Sequence, residues 1–257
     1  NGARRPLTAE EKIAEVPLPR GRRIYRLDNI QSQGSANQDT PFDFEDTIYR
    51  PKSDSHWKAN YPEGMERLKA AKRLQASENT LNYIRYFDDF SVVPINNLWN
   101  DIGGSVQSRS DPKVYVVQTG TSLIQRCLLM TTDPGDLVLD ITCGSGTTAY
   151  VAENWGRRWI TCDTSRVAIT LAKQRLMTAV FDYYELAHPH EGVGSGFKYK
   201  TVPHITLKSI ANNEPPGQET LYDQPFVDGK RLRVTGPFTV EAVPAPVARS
   251  FEEFASS

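Results

Sequence analysis

Residues 133–148 read Asp133-Pro134-Gly135-Asp136-Leu137-Val138-Leu139-Asp140-Ile141-Thr142-Cys143-Gly144-Ser145-Gly146-Thr147-Thr148. A turn signal opens the stretch. Leu137-Val138-Leu139 then forms a short continuous apolar run that ends in an acid, the pattern of a strand buried on both faces of a parallel sheet. A glycine-rich turn follows, and a helix is predicted from about Thr147 to Asn154. Arg158 to Asp163 is the next strand. Ser165 to Val180 is a second helix, with Val167, Leu171 and Leu176 on one side. Strand, turn, helix, strand and helix in that order predict an α/β fold with parallel strands and a right-handed crossover. Upstream, Ser122 to Thr131 is an apolar helix closed by Asp133-Pro134-Gly135, and Val114 to Val117 is a β-branched run.

The chemistry of the turn follows from its residue types. Glycine lets backbone approach a ligand closely and takes positive φ without strain. A helix amino terminus offers free N–H groups and partial positive charge. About twenty residues beyond the turn the second strand ends in Asp163, where a carboxylate can accept hydrogen bonds from both hydroxyls of a ribose. Two ligands fit. Gly144-Ser145-Gly146-Thr147-Thr148-Ala149 satisfies the G-x-G-x-x-A pattern of a dinucleotide site. S-adenosylmethionine (AdoMet) fits better, because Asp140 would repel a pyrophosphate but can meet the ammonium of a methionine moiety. The glycines also fall later after the strand than a dinucleotide fingerprint places them. A purely structural glycine turn is the third possibility.

Outward from this stretch the signals are weaker. The chain has 257 residues, 39% hydrophobic and 24% charged, enough for one large domain or two modest ones. The net charge of -1 means that any surface for nucleic acid must be local. Three cysteines, Cys127, Cys143 and Cys162, lack metal-ligand spacing and read as reduced thiols of a cytoplasmic protein. His188, His190 and His204 are not completed into a metal site by cysteines or carboxylates. No apolar run approaches the roughly 18 residues of a membrane span. Residues 1–19 read as an arm or linker. Arg20 to Leu27 alternates basic and apolar residues as a half-exposed strand, Thr47 to Arg50 is another, and Leu81 to Phe87 a third. Glu63 to Leu74 is a helix with Met65 and Leu68 on its apolar face. Arg20, Arg22 and Arg23, with Lys69 on that helix, are candidates to grip DNA phosphates; solvated faces explain them as well. Trp57 and Trp99 read as core anchors.

Taken with Gly156-Arg157-Arg158-Trp159-Ile160 and Asp163, the quoted stretch resembles the cofactor motif of β-class DNA amino-methyltransferases, which include type III restriction-modification Mod subunits. The resemblance spans roughly residues 56–180 and includes His56-Trp57, Tyr86-Phe87-Asp88-Asp89 and Leu98-Trp99-Asn100-Asp101-Ile102. It implies methyl transfer from AdoMet to an exocyclic amine, adenine N6 being favoured over cytosine N4. Cofactor contacts would come from Thr119, Asp140, Cys143, Gly144, Ser145, Gly146, Thr147 and Asp163. The implied partners are double-stranded DNA and, in some systems, a restriction subunit in a prokaryotic cytoplasm, with no membrane. Three departures stand out. Asp140-Ile141-Thr142 replaces the family's Asp-Pro-Phe or Asp-Pro-Thr. Thr119-Gly120 stands where many members carry Lys-Pro. No Asp/Asn-Pro-Pro-Tyr/Phe occurs, so no catalytic residue can be assigned. The start at Asn1 rather than Met fits a piece of a longer enzyme that lacks its catalytic part. The expected organisation is a target-recognition α+β region over 20–110, a partial Rossmann-like AdoMet unit over 111–187 and a C-terminal extension over 188–257. On this reading Leu137–Asp140 lies at a sheet edge.

Overall fold

The computed structural model describes residues 4–12, 16–35, 38–102 and 113–243. Its contacts divide the chain into two compact units, Asn1–Asn97 with Lys200–Leu221 and Leu98–Tyr199 with Tyr222–Ser257. Residues 200–221, within the expected C-terminal extension, thus belong to the first unit. Both units mix helix and strand. No helix among the described residues is long and apolar enough to cross a membrane.

The first unit opens with a single helical turn, α1 (Ala9–Lys12). Five short strands follow: β1 (Tyr25–Asn29), β2 (Gln31–Gln33), β3 (Phe42–Phe44), β4 (Thr47–Tyr49) and β5 (Ser55–Trp57). Helix α2 (Glu63–Ala70), β6 (Leu74–Ser77) and β7 (Thr80–Tyr86) come next. Strand β7 lies between β1 and β6, antiparallel to both, while β2 pairs with β5 and β3 with β4. The β3–β4 hairpin turns on Glu45 and Asp46, both left-handed at φ 52° and 61°. Two such residues match the right-handed twist of the strands they join. The predicted strand over Arg20–Leu27 begins only at Tyr25, because Gly21 (φ 78°) and the Arg22 N–H bonded to the Pro19 carbonyl make a turn first. The helix predicted to Leu74 stops at Ala70, since Lys72 is left-handed at φ 56° and Leu74 starts β6.

Ile30, Phe42, Met65, Leu68 and Leu81 are all at most 2% exposed and form one core with Trp57 and Tyr83. Trp57 is the predicted anchor, and its indole N–H reaches the Thr40 carbonyl at 2.8 Å. Strands β11 (Tyr199–His204) and β12 (Gly217–Pro225), which pair, flank α6 (Leu207–Ala211), and α6 packs on α2. Gly64 permits that approach, for a Cβ there would stand 3.3 Å from the Cβ of Ala211.

The second unit holds α3 (Thr121–Thr131), β8 (Leu137–Asp140), α4 (Thr147–Asn154), β9 (Arg158–Thr161), α5 (Arg166–Thr178) and β10 (Val180–Tyr184). It ends with β13 (Val227–Val234), antiparallel to β10. As the pattern requires, β8 and β9 are parallel, pairing Leu137 with Arg158 through Asp140 with Thr161. Strand β8 has β9 as its strand partner among the described residues. Val138 and Trp159 pack with Leu128, Val151, Ala152 and Trp155 of α3, α4 and the turn that follows. On the other face Leu137, Leu139 and Ile160 are 53%, 63% and 51% exposed. Among the described residues, the expected burial on both faces is met on one face only. The β-branched run Val114–Val117 forms bends, not a strand. Helix α5, capped by the Ser165 hydroxyl, buries Ala168, Ala172 and Leu176, whereas Val167, expected inside, is exposed. Trp99 is half-buried, with the Arg126 guanidinium 5.5 Å from its ring centre, and is no core anchor.

Candidate functional site

The glycine turn begins where β8 ends. One Asp140 carboxylate oxygen accepts the Thr142 N–H at 3.0 Å. The Cys143 N–H reaches the Cys162 carbonyl at 2.9 Å, and the Cys162 N–H reaches the Asp140 carbonyl at 2.8 Å, so the pairing of the two strands continues into the turn. Asp163 finishes the join. Its two oxygens accept the Ser165 N–H at 2.8 Å and the Gly144 N–H at 2.9 Å. These amides, Ser165 first and Gly144 second, hold its carboxyl below the usual range by stabilising the charged form. The second strand's acid is thereby fixed to the first strand's turn.

Gly144 and Gly146 are both left-handed, at φ 52° and 74°. A Cβ on Gly146 would lie 2.7 Å from the Cβ of Ala172, so this glycine is what lets α5 lie against the start of α4. A Cβ on Gly144 would meet the Tyr115 ring at 3.4 Å and the Val117 carbonyl at 3.6 Å. Cys143, Ser145 and Thr147 are buried, and burial pushes the Cys143 thiol up. From α5 the Arg175 guanidinium reaches the Thr147 hydroxyl at 2.9 Å and the Ser145 hydroxyl at 3.4 Å, over the Tyr150 ring. Asp140, Cys143, Gly144, Ser145, Gly146, Thr147 and Asp163 thus converge at the carboxyl ends of two parallel strands, where ligands of open α/β sheets bind. Thr119 is exposed, and Tyr115 and Val117 of the same segment are the residues set against Gly144.

Tyr115 and Arg175 were not singled out from the sequence. An arginine in the last turn of a helix carries no local signal of what it reaches, and Tyr115 lies in a stretch that reads as a strand. A cavity of about 590 Å³ opens elsewhere, beside Gly135 and Arg158 at the amino ends of β8 and β9. Its position is the wrong end of the strands for a ligand of this fold. Arg157 on its wall is buried, which pulls its pKa down, and donates to the carbonyls of Trp155 and Thr132 as a structural tie.

Of the candidate DNA-facing residues, Arg20 and Arg22 are exposed. Arg23 is engaged by Asp88 at 2.6 Å and lies 3.7 Å from the Tyr86 ring centre. Lys69 donates to the Asp43 carbonyl at 2.9 Å.

A strand–turn–helix–strand unit with glycines at its turn and acids at both strand ends defines the class of nucleotide-type cofactor folds. The particular family is the N6/N4 DNA methylases: that family's model matches residues 29–174, more than half of the chain, and the chain belongs to it. It is 34% identical over 99 residues to the probable type III restriction-modification enzyme HindVI Mod subunit of Haemophilus influenzae, covering 35% of this chain and 12% of that one. With the type II methyltransferase M1.MboII of Moraxella bovis it shares 31% identity over 143 residues, 53% of this chain and 55% of the relative. The chain therefore spans about half, or less, of the length of these relatives. A crystal structure of TTHA0409, a putative DNA modification methylase from Thermus thermophilus complexed with S-adenosyl-L-methionine, aligns with 59% of this chain and 53% of its own. The identity is 21% and the TM-score 0.26.

Proposed function

We propose that this chain is the cofactor-binding and DNA-contacting part of a site-specific DNA methyltransferase. The intact enzyme would move a methyl group from AdoMet to an exocyclic amino group of a DNA base, adenine N6 being favoured. The observation that carries the proposal is the Asp163 carboxylate, which ties the Gly144 amide to the start of α5 and sets both strand-end acids beside one left-handed glycine turn. AdoMet, when bound, supplies an electrophilic methyl group on a positively charged sulfur. Asp140 spends one oxygen on Thr142 and has the other for an ammonium. A carboxylate has about four acceptor sites, so Asp163 keeps capacity for ribose hydroxyls after its two amide bonds. The first amides of α4 suit a carboxylate. Ser145 and Thr147, buried and bonded to Arg175, support the turn from behind.

The catalytic Asp-Pro-Pro-Tyr motif would come from a part of the enzyme outside these residues, and that part would cover the open face of β8 and β9. Support comes from the motif's absence in the sequence and from the exposure of Leu137, Leu139 and Ile160. Double-stranded DNA, the catalytic part and, in a type III setting, a restriction subunit are the proposed partners. Calorimetric titration with AdoMet and with NAD⁺ tests the cofactor assignment. Heat with AdoMet and none with NAD⁺ is expected; a preference for NAD⁺ would return the turn to the dinucleotide class.

A further inference from the structure

The first unit carries a second feature that the cofactor site does not use. At one end of the β1–β7 pair a groove of about 360 Å³ is lined by Tyr25, Arg26, Arg85, Phe87, Phe90 and His204, with Val92 to Pro94 along its rim. Its apolar floor is unusually open, with Phe87 66% and Val93 79% exposed. The Phe90 ring is stacked on His204 at 4.2 Å, which holds one wall flat.

The charges at this groove are out of balance. Arg26 and Arg85 are directly opposed across the strand pair. Like charges in that position destabilise a sheet. They share one carboxylate, Asp28, at 3.0 Å from Arg26 and 3.8 Å from Arg85. Arg23, on the chain that leads into β1, is paired with Asp88 and adds no free charge to this groove. The chain as a whole carries a net charge of -1, so this positive cluster is local. Two guanidiniums with one counter-charge, beside an exposed aromatic ring, suit a ligand that is both anionic and flat.

We propose that this groove is a DNA-contact surface: Arg26 and Arg85 take backbone phosphates, and the exposed Phe87 ring stacks on a base that has left the duplex. The proposal rests on the methyltransferase reading and names where its DNA would touch the first unit. Charge complementarity favours DNA over an apolar peptide, for which the opposed arginines would be a cost. Phosphate neutralisation relieves their repulsion, and aromatic stacking on an unpaired base is tolerant of sequence. Asp28 acts against binding, since it competes with phosphate for both guanidiniums.

The test is fluorescence anisotropy of the full 257-residue chain with two labelled duplexes, one perfectly paired and one with a single unpaired nucleotide, over a range of salt. Arg26→Gln and Arg85→Gln should each flatten the slope of log affinity against log salt by about 0.9, one phosphate contact. Arg85→Lys should keep the slope. Phe87→Ala should leave the slope alone but weaken the unpaired-nucleotide duplex about tenfold more than the paired one. Asp28→Asn should tighten binding to both duplexes even as it lowers thermal stability, an opposite sign that a merely structural role would not give. Unchanged slopes and affinities, no binding by the wild-type chain, or weakening by Asp28→Asn overturns the proposal. So does a Phe87→Ala effect confined to self-association, which would make the groove a protein interface. AdoMet titration of the same samples separates the two readings. Normal AdoMet binding with flat DNA results removes the groove alone, and loss of AdoMet binding with the expected slopes removes the cofactor assignment alone.

Discussion

The two units hide their apolar residues to different degrees. In the first, Ile30, Phe42, Met65, Leu68, Leu81 and Ile84 are essentially sealed from water, and even Asp89 is fully buried. In the second, among the described residues, the parallel pair β8–β9 is covered on one face, and Leu139 and Ile160, paired across the strands, are exposed on the other. Apolar strands with an open face and an open edge are a liability that native proteins cover or pair. The first unit thus seals the core around its strands and leaves its groove at Phe87 open, whereas in the second unit a face of the parallel strands themselves stands open among the described residues.

The strongest loss should come from the sealed core of the first unit. Arg73 grips Asp89 through two bonds of 2.6 and 2.8 Å, and Asp89 also accepts the Tyr86 N–H. Asp89→Ala leaves a buried guanidinium without its partner and should cost about 3–5 kcal/mol in denaturant unfolding, while Arg73→Met with Asp89→Leu should recover most of that. A single-variant loss below about 1 kcal/mol would mean that the first unit is looser than described.

In the cofactor unit Gly146→Val should cost about 2–4 kcal/mol. It adds left-handed strain to an overlap with Ala172. The added side chain meets Ala172 first, so the change acts by separating α4 from α5. Gly144→Ala, whose Cβ would meet the Tyr115 ring at 3.4 Å and the Val117 carbonyl at 3.6 Å, ordinary contact distances, should cost less.

A smaller effect comes from Tyr83. Its hydroxyl is buried without a hydrogen-bond partner among the described residues, and burial pushes its pKa up to about 12 from 10.0. The raised folded value makes its contribution complete below pH 10 and lost as pH climbs toward 12. Tyr83→Phe should gain up to about 1 kcal/mol at neutral pH and flatten the alkaline limb of the stability profile. Unchanged alkaline unfolding would remove Tyr83 as its source.

The smallest expected effect is the most telling about the open face. Leu139→Lys should change the stability of this chain by no more than about 0.5 kcal/mol, as at any exposed site. Val138→Lys, one residue away on the covered face, should cost several times that. Equal losses at the two positions would mean that both faces are covered in solution.

The second unit was more legible than the first. Leu137–Asp140 and Thr147–Asn154 stand at the residues where the apolar run and the glycine turn put them, because a buried strand and a glycine-bounded helix announce both of their ends locally. The exposure of Leu139 was not legible, since apolarity tells which face wants cover and not whether the cover is in the chain. Val167 was misplaced because it stands nine residues from Leu176, half a turn round the helix, so it faces away from the side that buries Ala168, Ala172 and Leu176. In the first unit Arg23 and Lys69 looked available for phosphate, but each is engaged by a residue distant in sequence or by the β3 backbone. The opposed pair of Arg26 and Arg85 is a fact of strand register, visible only after β1 and β7 are aligned.

We propose that this chain holds the cofactor side of a DNA amino-methyltransferase and that the catalytic side lies elsewhere. Transfer of a labelled methyl group from AdoMet to unmethylated DNA tests it directly. The purified chain alone should transfer none. Addition of a family segment bearing Asp-Pro-Pro-Tyr should restore transfer, and Leu139→Lys should abolish that restoration while leaving the chain folded. Methylated bases formed by the 257-residue chain on its own would contradict the claim.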